Sequence, residues 1–424
     1  MRRLFGAGCV AIILFTGTAC GDSEPPATVE ARQGPESSAR PTAEEWARRE
    51  PSRLDDASPA IVGYGLNDSR LYLVGFHRQV SGGYEYVDGG TVTDLERNSS
   101  STMGRPPVEH GLGTGTAIGT QSGLYVVGYD CPAAGDPDSA GFGCAPRGAR
   151  PVALRFDSAE DKWGLMSLPP SLVSRSFSPT ADGPRFAQSG NAAPESLFLL
   201  LRSEPLAAEV HVDALDVRAG EWTASVTVDA LSTCSDGTSL QVLASEAVRA
   251  FLERGEAVGP VPITTIHSDG AMASSDYQLD LEEVTPEYVA GAGLTRFGIH
   301  CVGADTYLTF DGGEQGPQLR RADQSTESWV AIDPPRFGDR AGVWEVAGGP
   351  SGLIMARGVG GSAANISVAL LAPGAAKWRI LPSIPSSTAG ASQRLQSAAP
   401  LAVLESTGRS GRAEKMFVIR SSAG

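Results

Sequence analysis

Two short elements alternate along most of this sequence, and their order constrains the fold more than any other feature. The first is an apolar run often opened by Leu-Tyr: Leu71-Tyr-Leu-Val-Gly-Phe76, Leu124-Tyr-Val-Val-Gly-Tyr129 and Leu197-Phe-Leu-Leu-Leu201. Weaker copies lie at Leu240–Leu243, Tyr307–Phe310, Leu353–Met355 and Lys415–Ile419. The second is a tryptophan in a polar turn with proline a few residues on. It occurs as Asp161-Lys-Trp163 before Leu168-Pro-Pro170, Glu327-Ser-Trp329 before Asp333-Pro-Pro335, and Ala376-Lys-Trp378 before Leu381-Pro382. Glu221-Trp222 and Glu45-Trp46 are partial copies, Arg97 ahead of Pro106-Pro107 holds the place without the ring, and a copy near Leu281 is degenerate. Short β-branched and aromatic runs bounded by Gly, Asp, Ser and Pro, with no long helical periodicity, read as an all-β chain. A repeated unit of such strands reads as a series of small sheets.

These alternating elements resemble kelch repeats, and the likeness runs from about Thr42 to the C-terminus. The resemblance implies a β-propeller of the galactose-oxidase type over residues 42–424, with four strands in each blade. Seven copies of each element imply seven blades, with six as the alternative. A tryptophan element (Trp46) comes first and an apolar strand (Met416–Ile419) comes last. The two ends of the chain should therefore pair within one blade, which hides sheet edges that would otherwise invite aggregation. One segment breaks the pattern. Ala244–Gly255 carries Val248, Phe251 and Leu252 at helical spacing and ends on a glycine stop.

The N-terminus carries a separate signal. Met1-Arg2-Arg3 precedes the uncharged run Leu4–Ala19. That run is short of the roughly 20 apolar residues that span a bilayer, and its small-residue end is typical of a cleaved leader. The residues up to Cys20, followed by Gly21-Asp22-Ser23-Glu24, resemble a bacterial lipobox, with Gly17 where that motif usually has Leu. The resemblance implies a signal peptide over 1–19 and a Cys20 thiol carrying acyl chains such as palmitate. The mature chain would be held on the extracytoplasmic face of the cell membrane. Residues 20–41, rich in Pro, Ser, Ala, Glu and Gln, lack the apolar surface to offset ordering and read as a disordered stalk.

Cys9 would leave with the leader, so four cysteines remain for an exported chain: Cys131, Cys144, Cys234 and Cys301. An even number in an oxidising compartment implies disulfides. Cys131 and Cys144 bracket a Gly/Pro/Asp-rich loop. Cys234 precedes Leu240 by the same interval as Cys301 precedes Tyr307. The second pair thus takes matching positions at the inner-strand entry of neighbouring blades, and the expected bridges are Cys131–Cys144 and Cys234–Cys301. No Cys-x-x-Cys spacing points to zinc.

A net charge of −15 argues against a nucleic-acid partner, which needs a basic footprint. It equally argues against a polybasic patch held to anionic lipid. His77, His110, His211, His267 and His300 show no metal-ligand spacing. Asp136, Asp138, Asp311 and Glu314 lie in Gly-rich loops and read as solvated turn acids rather than calcium ligands. Ser235-Asp236-Gly237-Thr238 reads as an Asp-Gly turn. The run Gly111–Thr116 lacks the Lys-Ser/Thr of a phosphate loop and reads as a turn between strands. No catalytic, cofactor or metal set emerges. The expectation is a non-catalytic binding module for a protein, glycan or small ligand at one propeller face or the channel mouth. The alternative is a surface hydrolase or oxidase, which a convergent His/Asp/Glu set at that mouth would favour. A scaffold role in an envelope complex would require an exposed apolar face.

Overall fold

Strand pairing in the computed structural model follows one rule, repeated around the chain. The described residues are 47–49, 63–67, 70–80, 83–94, 99–110, 112–130, 150–174, 184–202, 208–254, 258–281, 297–311, 317–337, 343–359, 365–385, 392–398, 401–407 and 413–420. After β1 (Ala47–Arg49), the first antiparallel meander is β2 (Gly63–Asn67), β3 (Arg70–Val80), β4 (Gly83–Asp94) and β5 (Ser99–Thr102). The second is β6 (Leu112–Thr120), β7 (Gly123–Asp130), β8 (Arg150–Asp157) and β9 (Lys162–Leu165), followed by the short helix α1 (Pro170–Ser174). The third is β10 (Arg185–Phe186), β11 (Ser196–Arg202), β12 (Glu209–Asp216) and β13 (Glu221–Asp229).

The fourth meander is β14 (Ser232–Ser235), β15 (Ser239–Leu243), β16 (Val258–His267) and β17 (Met272–Asp280), with helix α2 (Ser245–Arg254) between its second and third strands. The fifth is β18 (Gly298–Val302), β19 (Asp305–Asp311), β20 (Pro317–Asp323) and β21 (Ser328–Ile332). A single parallel pair, Gln278 with Ser328, joins the outer edges of these two. The sixth is β22 (Val343–Ala347), β23 (Leu353–Val359), β24 (Asn365–Leu371) and β25 (Arg379–Pro385). The seventh takes β26 (Ser392–Ala398), β27 (Leu401–Thr407) and β28 (Ala413–Arg420), and its fourth strand is β1, the first of the chain.

First strands of successive meanders lie against one another, β2 on β6, β6 on β10, β14 on β18 and β22 on β26. They form the inner wall, and the closing sheet joins both ends of the folded chain through Ala47–Val418 and its neighbouring pairs. This is β-propeller architecture. The core lies between the sheets. Tyr72, Val74, Leu124, Val126, Phe156 and Trp163 pack the first meander on the second. Ala187, Phe198, Val212, Leu240 and Val242 pack the third on the fourth, and Val302, Tyr307, Leu319, Leu353 and Leu371 pack the fifth on the sixth.

Sandwiching explains the two sequence elements. A second strand has neighbours on both edges and both faces, so every residue of β7 is buried and the run reads as continuously apolar. Outer strands alternate instead, as β13 does between exposed and half-buried positions. The tryptophan element is the outer hairpin. Asp157 accepts the N–H groups of Ala159 (2.9 Å) and Glu160 (3.2 Å). Asp161 then takes φ 51°, and Trp163 falls opposite Phe156. The same spacing recurs at Asp216, Gly220 (φ 71°) and Trp222 opposite Leu215, and at Asp323, Glu327 (φ 50°) and Trp329 opposite Ala322.

Three expectations need correction. The apolar strand of the last meander equivalent to β3 and β7 is β27, whereas Lys415–Ile419 belongs to the third strand, β28. Both are middle strands, so both carry apolar runs. Leu112–Thr116 is not a turn but the start of β6. Its glycines accommodate a register shift, and a Cβ on Gly115 would lie 2.8 Å from the Val127 carbonyl oxygen. Cys234 and Cys301 sit toward the exits of β14 and β18, next to the turns into β15 and β19, rather than at the strand entries.

The helix falls where its spacing placed it. Val248 and Phe251 are buried against the fourth meander, and Leu252 packs beside them. No described helix is long and apolar enough to cross a membrane.

Candidate functional site

The inner strands of the third and fourth meanders, β10 and β14, part at one end and join at the other. Where they join, Ser235 donates its N–H to the Gln188 carbonyl (2.9 Å) and accepts the Gly190 N–H (2.6 Å), making a parallel bridge at Ser189–Ser235. Gly303 of the fifth meander donates to the Gly190 carbonyl at 2.9 Å. A Cβ on Gly190 would lie 2.8 Å from the Cys301 carbonyl carbon, and one on Gly348 would lie 2.7 Å from its oxygen. Main chain from the third, fifth and sixth meanders therefore converges on Cys301, where only glycine allows so close an approach.

The Cys234–Cys301 disulfide staples β14 to β18 at this same end, with Cα atoms 5.5 Å apart. The Ser235–Thr238 turn beside it is the Asp-Gly turn expected. Asp236 accepts the backbone N–H groups of Thr238 (2.8 Å) and Ser239 (2.7 Å) and both their hydroxyls, with Gly237 at φ 97°. Burial works to raise the Asp236 pKa, but these bonds outweigh it and leave the carboxyl below its ordinary range.

Where β10 and β14 part, a cleft of about 220 Å³ opens. Arg185, Gln188, Arg202, Ser232 and Thr233 supply its polar lining, and Phe186, Ala187, Leu200, Val210 and Leu231 its apolar lining. The register explains the arrangement. Arg185 stands opposite Leu200 and Arg202 lies two residues beyond Leu200 on the same face. The Arg202 Nη2 donates to the Ala230 carbonyl at 3.1 Å, which fixes the guanidinium on the wall. Thr233 stands opposite Val242, whose side chain belongs to the cluster between the two meanders. Ser232 Oγ accepts the Ile299 N–H at 3.0 Å and ties this wall to the fifth meander. Among the described residues lining the cleft there is no carboxylate, imidazole or thiol. Such a lining can hold and orient a ligand.

Other polar clusters serve the fold. His300, at the centre of β18, bonds through Nε2 to Thr309 Oγ1 at 3.0 Å. Burial holds its pKa down to about 4, so the ring is neutral at neutral pH. Fully buried Asp213 accepts both the hydroxyl and the N–H of Ser171, fastening α1 to β12. Glu109, His110 and Asp130 come together at the opening of the second meander although twenty residues separate the last two. Buried Asp130 accepts the Glu109 and His110 N–H groups, each at 3.0 Å, and Arg150 pairs with Glu109 at 3.2 Å. Adjacent Glu-His was the only trace of this cluster in the sequence, and the cleft arginines had none.

Cys20 and the leader lie outside the described residues, as do Cys131, Cys144, Asp136, Asp138 and Glu314. Asp311 closes β19 and His77 lies within β3.

No protein-family model matches the chain, and no curated protein matches it. Among solved structures it is similar to the β-propeller domain of the Trilobed protease from Pyrococcus furiosus, with a TM-score of 0.47 and 8% identity over 85% of this chain and 95% of that one. It is also similar to the structure of U3-55K, with a TM-score of 0.44 and 10% identity over 88% of this chain and 98% of that one. A chain in a mitotic checkpoint complex gives a TM-score of 0.43 and 11% identity over 96% of this chain and 99% of that one. The propeller assignment rests on the strand pairing above.

Proposed function

We propose that this chain is a lipid-anchored extracytoplasmic lipoprotein whose seven-bladed, kelch-like propeller is a non-catalytic binding module. Its ligand sits in the cleft between the third and fourth meanders. The observation that carries the reading is the composition of that cleft, whose described lining is polar donors over an apolar floor, with no acid–base or nucleophile–base pair among the described residues. Cys20 at the end of a short apolar leader supports the anchor, and acyl chains at about 0.8 kcal/mol per buried CH₂ would hold it. The Cys131–Cys144 bridge belongs to the same proposal.

Two measurements test it. Mass spectrometry of the membrane fraction should give an N-terminal peptide beginning at acylated Cys20, and an intact leader or bare sulfur would remove the anchor. The full chain incubated with chromogenic ester and glycoside panels should show no turnover. Turnover abolished by a change in the cleft lining would replace the binding module with an enzyme.

A further inference from the structure

We infer that the junction between the first and second meanders is an adjustable joint, with the linker 103–108 a strap poised to close on the indole of Trp163. The inference stands apart from the binding-module reading and uses no cleft residue. Trp222, Trp329 and Trp378 each donate the indole N–H to a main-chain carbonyl of the preceding meander or its linker, at Ser167, Val261 and Asp333. Trp163 has the parts for the same bond. It follows an Asp-led hairpin like that of Trp222 and stands opposite Phe156. Arg105 lies directly ahead of Pro106-Pro107, as Asp333 lies ahead of Pro334-Pro335. Met103 and Val108 of the linker already pack in the same cluster as Trp163. Yet the Trp163 Nε1 is buried and has no hydrogen-bond partner among the described residues.

A buried donor without an acceptor is unfavourable, because it has given up water and gained nothing in exchange. Buried Tyr72, in the same cluster, leaves its Oη in the same condition, so this junction carries two such groups. The linker shows why the bond is open and how it closes. Met103 donates its N–H to the Gly90 carbonyl of the first meander at 2.8 Å. Asp130 of the second meander accepts the Glu109 and His110 N–H groups at 3.0 Å each, so both ends are pinned. A tight turn from the Val108 N–H to the Pro106 carbonyl, at 2.8 Å, holds the strap short. Gly104 is its hinge, exposed at φ 67° with nothing within 4 Å of where a Cβ would stand. Rotation there re-aims the Arg105 carbonyl while both ends stay fixed. That oxygen has two lone pairs, so it can take the indole N–H beside any other donor. Closing satisfies Trp163 and draws the two sheets together, and opening releases them.

Nuclear magnetic resonance on the full chain carrying nitrogen-15 tryptophan tests this, with the Trp163 indole signal assigned by its loss in Trp163→Phe. Relaxation dispersion should show the Trp163 N–H exchanging between two environments on the microsecond-to-millisecond scale, while the Trp222 and Trp378 signals stay single. Urea unfolding gives a second readout. Trp163 and Trp329 are both buried, so replacement by Phe shrinks the two rings alike, but only Trp329→Phe also loses a fixed bond. Trp329→Phe should therefore lower the folding equilibrium constant about fivefold more than Trp163→Phe. An exchange-free Trp163 signal, or an equal fall in the two variants, would mean that the indole holds a fixed partner such as a bound water, and would overturn the strap. Should Trp163→Phe fail to fold, the count of exchanging indole signals in the parent still decides: one supports the joint and none removes it.

Discussion

The indole N–H of Trp222 donates to the main-chain carbonyl of Ser167 at 2.9 Å, and that of Trp378 donates to the carbonyl of Asp333 at 2.8 Å. Each acceptor belongs to the linker leaving the preceding meander, directly or one residue ahead of a proline pair. At these two positions tryptophan and proline, which read in sequence as one element, are two halves of a latch between successive sheets, whereas Trp329 donates to the Val261 carbonyl within β16. Proline fixes the linker's φ, so the carbonyl is presented without further ordering.

Trp222→Phe and Trp378→Phe keep an aromatic ring, smaller than indole, but remove the donor. Each should lower stability by about 1 kcal/mol, read from urea midpoints. The latches lie in separate meanders, so the double variant should lose the sum. Unchanged midpoints would show that these bonds add nothing over water.

Glu327 and Asp161 are the described non-glycine residues at positive φ, at hairpin positions where the third meander has Gly220. Glu327→Gly should stabilise the protein by about 0.5–1 kcal/mol by relieving left-handed strain. Asp161→Gly should gain less, since aspartate tolerates that region better. A loss of thermal midpoint in Glu327→Gly would refute the strain account.

Cys234 and Cys301 close 67 residues of chain. Replacing both with Ala should cost about 4 kcal/mol by the chain-entropy relation. Reductant should match that loss in the parent and leave the variant unchanged. A cost below about 1 kcal/mol would mean that glycine-enabled packing around Cys301 already fixes the two strands.

His300 gives a pH dependence of defined sign. Its folded pKa is held down to about 4 by burial, below the ordinary value near 6.5. As pH falls through 6.5 the unfolded chain takes up the proton first, so stability is lost between about 6.5 and 4 and levels off below. The loss is about 3 kcal/mol at most, and partial exposure of the residue reduces it. His300→Asn should flatten that part of a stability-against-pH curve, and a parallel curve would assign the titration elsewhere.

The fold was legible where strands are sandwiched. Leu124–Tyr129 must be apolar throughout because both of its faces are covered, and Trp163, Trp222 and Trp329 mark their hairpins through a fixed turn geometry. Inner strands left little trace. β10 pairs over only Arg185 and Phe186, and the inner strand β6 is rich in glycine. The Cys234–Cys301 bridge was legible because equal spacing from equivalent strands survives folding. The cleft was not. Its arginines sit seventeen residues apart on paired strands, and Thr233 comes from another meander. Only register and inter-sheet packing bring them together.

The last sheet has a consequence for biogenesis. β28 is made long after β1, the first described strand, yet the two are partners in one sheet. Until it arrives, β1 has no neighbour in its own sheet and β26 and β27 lack their third strand, so a chain still being synthesised exposes unpaired hydrogen-bonding groups on either side of an unfinished ring. Premature termination before Ala413 would leave that seam permanently open, an invitation to chaperones, proteases and other nascent copies.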